Sequence, residues 1–121
     1  MARLLLAEDE EALRMLIVDT LEEEGHVMDV ACDGEEALRK ISVNRYDLII
    51  LDHMMPKLTG LEVIERLRSM PEHASSRVLM LSAKNQQTEQ NHVMDAGADA
   101  FMSKPFSPLA LIGKVEELLN A

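Results

Sequence analysis

Residues 48–60 read LIILDHMMPKLTG. Four apolar residues run without interruption into Asp52, and a strand made of them has no polar face to offer water. It must be covered on both sides, as in a parallel sheet flanked by helices. LLLA at 4–7 and VLML at 78–81 have the same character, and residues 27–31 and 100–103 complete a set of five short runs. Longer segments of helical period separate them, and this alternation predicts an α/β fold with crossover helices. The three wholly apolar strands should lie at the centre of the sheet.

Leu13, Leu16, Ile17 and Leu21 mark one face of a first helix, which Gly25 can close because glycine tolerates left-handed geometry. Ala37, Leu38 and Ile41 mark a second. Leu61, Ile64 and Leu67 mark a third that stops near Pro71, and Leu111, Ile112, Val115, Leu118 and Leu119 a fifth. The fourth, over 85–96, offers only Val93, Met94 and Ala96, so it should bury little and be the least firmly held. No repeat or linker interrupts the pattern, and residues 1–121 read as one domain ending with its last helix.

The chain has 121 residues, long enough for one core without disulfide or metal support. Its 22 acidic against 12 basic residues leave a formal charge of −10, which argues against nucleic acid or an anionic membrane face as a direct partner. No uncharged stretch approaches the roughly 20 residues of a membrane helix, and the N-terminus lacks a signal-peptide core. The single Cys32 fits a reducing cytoplasm, with packing as its expected role. Most of the nine methionines should fill the core. The four histidines, His26, His53, His73 and His92, show no metal-ligand spacing and read as surface or loop residues. Glu22–Glu24 reads as a solvated helix end.

In an open parallel sheet, ligands gather beyond the carboxyl ends of the strands. Glu8 and Asp9 follow the first run, Asp52 the third, Ser82 the fourth and Lys104-Pro105 the fifth. Taken singly, Asp9 and Ser82 would be helix caps, Lys104-Pro105 a turn and Asp52 a strand-ending acid. Together, four of five strand ends carry the groups of one phosphoryl-transfer site. Two carboxylates roughly 4 Å apart repel by about 4 kcal/mol at a surface-like dielectric. Either one acid is protonated or a hard divalent cation fills the site, and Mg²⁺ suits it best. Asp52 would then be a carboxylate nucleophile giving an acyl phosphate, with the metal and Lys104 stabilising the transferring group.

Over essentially its whole length the sequence resembles the receiver domain of bacterial two-component response regulators. LLLAEDE, LIILDHMMPKLTG, VLMLSA and DAFMSKPF occur in that family's order. The resemblance implies a flavodoxin-like (βα)5 doubly wound sheet of five parallel strands, order 2-1-3-4-5. It further implies that Asp52 accepts phosphate from a histidine kinase or a small phosphodonor. Asp9 would ligate Mg²⁺ directly, Glu8 through water, with Asp52 and the backbone carbonyl of Met54 completing the protein ligands. Ser82 matches the switch hydroxyl, Lys104 the phosphate-binding lysine before a cis proline, and Phe101 the aromatic that turns inward on activation. Phe stands where Tyr is common, so an exposed ring is less favoured, and Glu8 is longer than the commoner Asp. Met54 and Lys84 should flank the path of water to the acyl phosphate.

The implied partners are a sensor histidine kinase or phosphotransfer protein and a downstream effector protein or domain, reached through the face formed by the fourth helix, fifth strand and fifth helix. The protein would be a regulator and not an enzyme in its own right, a monomer or a phosphorylation-linked dimer. Three rivals stand beside this reading. A phosphohydrolase working through an aspartyl phosphate needs an acid/base carboxylate where Met54 stands. A nucleotide or flavin module needs a glycine-rich cradle where Glu8 and Asp9 stand. A receiver-like docking module that is never phosphorylated would share the fold alone.

Overall fold

The computed structural model describes residues 2–83 and 86–121. Strand β1 (Arg3–Ala7) leads into helix α1 (Glu11–Glu23), β2 (Val27–Ala31) into α2 (Gly34–Val43), and β3 (Leu48–Asp52) into α3 (Gly60–Arg68). A 3-10 turn at Pro71–His73 then precedes β4 (Val78–Ser82), α4 (Gln87–Ala96), β5 (Ala100–Ser103) and α5 (Pro108–Leu119). The strands form one parallel sheet in the order β2-β1-β3-β4-β5. The three wholly apolar runs are therefore its three inner strands, as their sequence requires.

Alternation along those strands builds two cores. Leu5, Ala7, Ile49, Leu51, Val78 and Met80 face Ala37 and Ile41 of α2, Val63, Ile64 and Leu67 of α3, and Val93 of α4. Leu4, Leu6, Leu48, Ile50, Leu79 and Leu81 face Ile17 and Leu21 of α1 and Leu111, Val115 and Leu118 of α5. A residue's parity on β1, β3 or β4 thus decides which helical layer it meets. Gly25, at φ +91°, follows the end of α1 as expected.

Helix α4 buries Val93 alone, in line with its polar sequence, although the expected start at Asn85 lies outside the described residues. Leu16 is 49% exposed, contrary to the expected α1 face. The stripe that meets the sheet is the i, i+4, i+8 line of Leu13, Ile17 and Leu21, and Leu16 is turned about 100° from Ile17. The methionines also differ from expectation. Met55 and Met80 are buried, but Met15, Met54 and Met94 are exposed, because leucine and isoleucine already fill the inner strands. Cys32 is exposed rather than packed, since it lies just past β2 where the chain has left the sheet. Of the histidines read as surface or loop residues, His53 lies in the loop after β3 and His73 in the 3-10 turn, yet both are buried. The His73 ring Nδ1 lies 3.0 Å from Ser76 Oγ under the α3–β4 connection.

The loop after β3 returns against the strand it leaves. The Gly60 N–H donates to the His53 carbonyl at 2.8 Å, and a side chain at Gly60 would place its Cβ 2.6 Å from the Asp52 carbonyl. That carbonyl belongs to an inner strand and cannot retreat. Gly60→Ala should therefore lose about 2 kcal/mol or more of stability, read as a lowered urea midpoint at unchanged slope.

Candidate functional site

Three helices begin with a side-chain cap. Asp33 accepts from Glu36 N–H, Thr59 from Glu62 N–H and Ser107 from Ala110 N–H. The other two do not. The N-caps of α1 and α4 are Glu10 and Gln86, neither with a side-chain bond to its helix. Asp9 and Ser82 are thus not the caps that local sequence would make of them, and both remain at the carboxyl rim of the sheet.

There the ends of β1, β3, β4 and β5 meet. Lys104 Nζ donates to Glu8 Oε1 and to Asp52 Oδ1, each at 3.1 Å. Its backbone N–H donates to the Ser82 carbonyl at 2.8 Å, joining β5 to β4 at this edge, and the Lys104-Pro105 bond is cis. Glu8 is 1% exposed, Asp52 5% and Ser82 1%, whereas Asp9 is exposed. Glu8 Oε2 accepts from the Glu10 N–H at 3.1 Å, and Arg14 of α1 donates to the Glu8 carbonyl at 2.9 Å, which holds the turn. Phe101 lies opposite Met80 in the β4–β5 register, half-buried against the α2–α3–α4 core. Met54 is 54% exposed beside the rim, and Lys84 lies outside the described residues.

Glu8, Asp9 and Asp52 each bring one carboxylate oxygen within 4.8 Å of the others. Opposite oxygens of an octahedral magnesium lie ~4.2 Å apart, so an all-oxygen set of this size suits a small hard cation, with water making up any ligand that falls short. Burial pushes the Glu8 carboxyl up to about 7, assisted by the neighbouring Asp52 charge and opposed by the Glu10 N–H and Lys104. Burial pulls the Lys104 ammonium down, but its hydrogen bonds and charge pairs with Asp52 and Glu8 outweigh this and hold it above the ordinary lysine value. The rim therefore keeps its cation while one of its acids is ready to take a proton, and both ways of relieving carboxylate repulsion are built in.

Sequence reading missed His53, whose ring Nε2 lies 2.6 Å from Glu89 Oε1 on α4. Its burial follows from parity, since Ile49, Leu51 and His53 point the same way.

A family model of the response regulator receiver domain matches residues 4–116. The chain is similar to the alkaline phosphatase synthesis transcriptional regulatory protein PhoP of Bacillus subtilis, 39% identical over 98% of this chain and 48% of PhoP. It thus spans about half the length of the curated relatives it matches. Among solved structures it is similar to the Francisella response regulator 1452 receiver domain, with a TM-score of 0.93 and 34% identity over 99% and 98% of the two chains. Chemotaxis response regulator CheY4 of Vibrio cholerae also matches at 0.93, with 30% identity over 98% of each chain.

The raised Glu8 carboxyl binds its proton more tightly in the folded chain than in the unfolded one. It therefore stabilises the fold below about 4.5, and that contribution is lost as pH rises through about 7. In protein stripped of divalent cations, the thermal midpoint should rise by several degrees as pH falls from about 8 to about 5.5. Glu8→Gln should flatten the rise, and a rise of equal size in that variant would assign the titration elsewhere.

Proposed function

This chain belongs to the response regulator receiver domain family, and on that premise we propose that Asp52 is its phosphoacceptor in a two-component system or phosphorelay. The observation that carries the reading is the Lys104 ammonium held at 3.1 Å from both Asp52 and the buried Glu8, with Asp9 alongside. A carboxylate oxygen of Asp52 attacks the phosphorus of a phosphohistidine or of a small phosphodonor such as acetyl phosphate. The P–N or P–O bond to the donor breaks, and the donor leaves with its electron pair. Lys104, already at Asp52, pairs with the arriving phosphoryl oxygens, and the Ser82 hydroxyl donates to one of them.

Glu8, Asp9, Asp52 and the Met54 backbone carbonyl are the residues to hold Mg²⁺. When bound, the ion offsets the charge of the carboxylates and the phosphoryl group. The pairing of Lys104 with two acids supports the fit, because one ammonium against three carboxylates leaves the rim short of positive charge.

Residues 1–121 act here as one receiver domain in the cytoplasm. Output passes through the face of α4, β5 and α5, with Ser82 and Phe101 as the moving parts, to an effector protein or domain. At a formal charge of −10, nucleic acid is not a direct partner of these residues, and no described helix is long and apolar enough to cross a membrane. The chain works as a monomer or as a dimer formed on phosphorylation, and the incoming partner is a sensor histidine kinase or phosphotransfer protein. It is a regulator that assists its own phosphorylation and dephosphorylation.

Incubation with Mg²⁺ and acetyl phosphate should give a phosphoryl mass adduct that is lost in Asp52→Asn and in the presence of a chelator. An unmodified wild-type mass would support the docking-module reading instead. Met54, an exposed thioether beside Asp52, cannot orient a water, so the adduct should decay slowly. Met54→Asn should hasten decay several-fold, and an unchanged decay rate would remove Met54 from the hydrolysis path.

A further inference from the structure

His53 adjoins Asp52 in sequence but stands outside the carboxylate site, with a side chain only 7% exposed. Its backbone is tied on both sides, the N–H donating to Leu81 and the carbonyl accepting from Gly60, each at 2.8 Å. Strand alternation sends Asp52 and His53 to opposite faces, so the ring points into the layer that holds α4. There Nε2, assigned as donor because a carboxylate only accepts, bonds Glu89 Oε1 at 2.6 Å. The other ring nitrogen, Nδ1, is enclosed with no hydrogen-bond partner among the described residues.

A buried polar atom without a partner is a standing cost, and the short bond on the far side of the ring offsets it. Helix α4 buries only Val93, near its end, and Gln86 supplies no side-chain cap. Gln87 bonds along the helix to Asn91. The charge-assisted hydrogen bond that Glu89 accepts from His53 ties the first turn of α4 to the end of β3.

We infer that the His53–Glu89 hydrogen bond is a latch that seats the first turn of α4 against the end of β3, and that its opening passes a change at Asp52 to α4. The second half rests on the phosphoacceptor reading of Asp52; the first does not. One peptide unit joins the two residues, so any shift of the β3 end toward a phosphoryl group carries the imidazole with it. A shift that draws the ring back by more than about 0.6 Å stretches the 2.6 Å contact beyond the ordinary N–H···O range.

Amide hydrogen exchange over residues 87–93 of the unmodified full chain tests the seating. Glu89→Ala should speed exchange there about threefold to tenfold, the range one hydrogen bond supports, with α1 and α5 unchanged. Glu89→Gln keeps an accepting oxygen and should stay close to wild type. Wild-type exchange in Glu89→Ala would overturn the latch. For the coupling, the probe is beryllofluoride with Mg²⁺, a tetrahedral mimic of the phosphoryl group. If an open latch favours the phosphorylated conformer, linkage requires Glu89→Ala to bind it several-fold more tightly, while Glu89→Gln, which loses the same charge, should not. Equal affinity in wild type and Glu89→Ala would overturn the coupling. If wild type binds no beryllofluoride, the phosphoacceptor reading falls and the coupling with it, and the exchange measurement still decides the latch.

Discussion

One ammonium shared between two buried carboxylates governs this molecule. Lys104 at 3.1 Å from both Glu8 and Asp52 fixes the relative positions of β1, β3 and β5 at the carboxyl rim and makes two buried acids tolerable there. It does so incompletely. With Asp9 beside them, three carboxylates face one amine, and burial, assisted by the Asp52 charge, pushes the Glu8 carboxyl up to about 7. A proton or a divalent ion can make good that deficit. The same imbalance that strains the resting site makes it responsive.

The sheet exists in this form because its inner strands have no polar face. β1, β3 and β4 are buried throughout except at Arg3, and their alternation divides the helices into an α1–α5 layer and an α2–α3–α4 layer. Chemistry is confined to the ends of these strands because only there can a carboxylate or an amine reach both its partners and solvent. Caps are used elsewhere: Asp33, Thr59 and Ser107 are spent on helix starts, whereas Asp9 and Ser82 are left at the rim.

Firm and loose packing are also divided in a way that suits a switch. The β3 end is held by the Gly60 and Leu81 backbone bonds around His53, while α4 buries Val93 alone and its Glu89 carboxylate accepts from the His53 ring. A rigid strand end thus lies beside the helix with the fewest buried residues, whose movement would cost the core little.

Much of this was legible in the linear chain. Uninterrupted apolar runs such as LIIL can only be inner strands, so the class of fold, the central strands and the acids, hydroxyl and lysine at their ends follow from residue order and the desolvation of peptide groups. Helical faces were legible only roughly: Leu16 belongs to the apolar pattern of α1 and yet points to solvent, because pattern does not define the angle at which a helix meets a sheet. The burial of His53 and the exposure of Cys32 and several methionines were decided by which neighbours the tertiary structure supplied. Residue types and local periods are properties of the chain, but the meeting of Lys104 with Glu8, 96 positions away, and of His53 with Glu89 depends on the register of strands and the seating of helices. Those are set by packing over the whole sheet, and no stretch of sequence contains them.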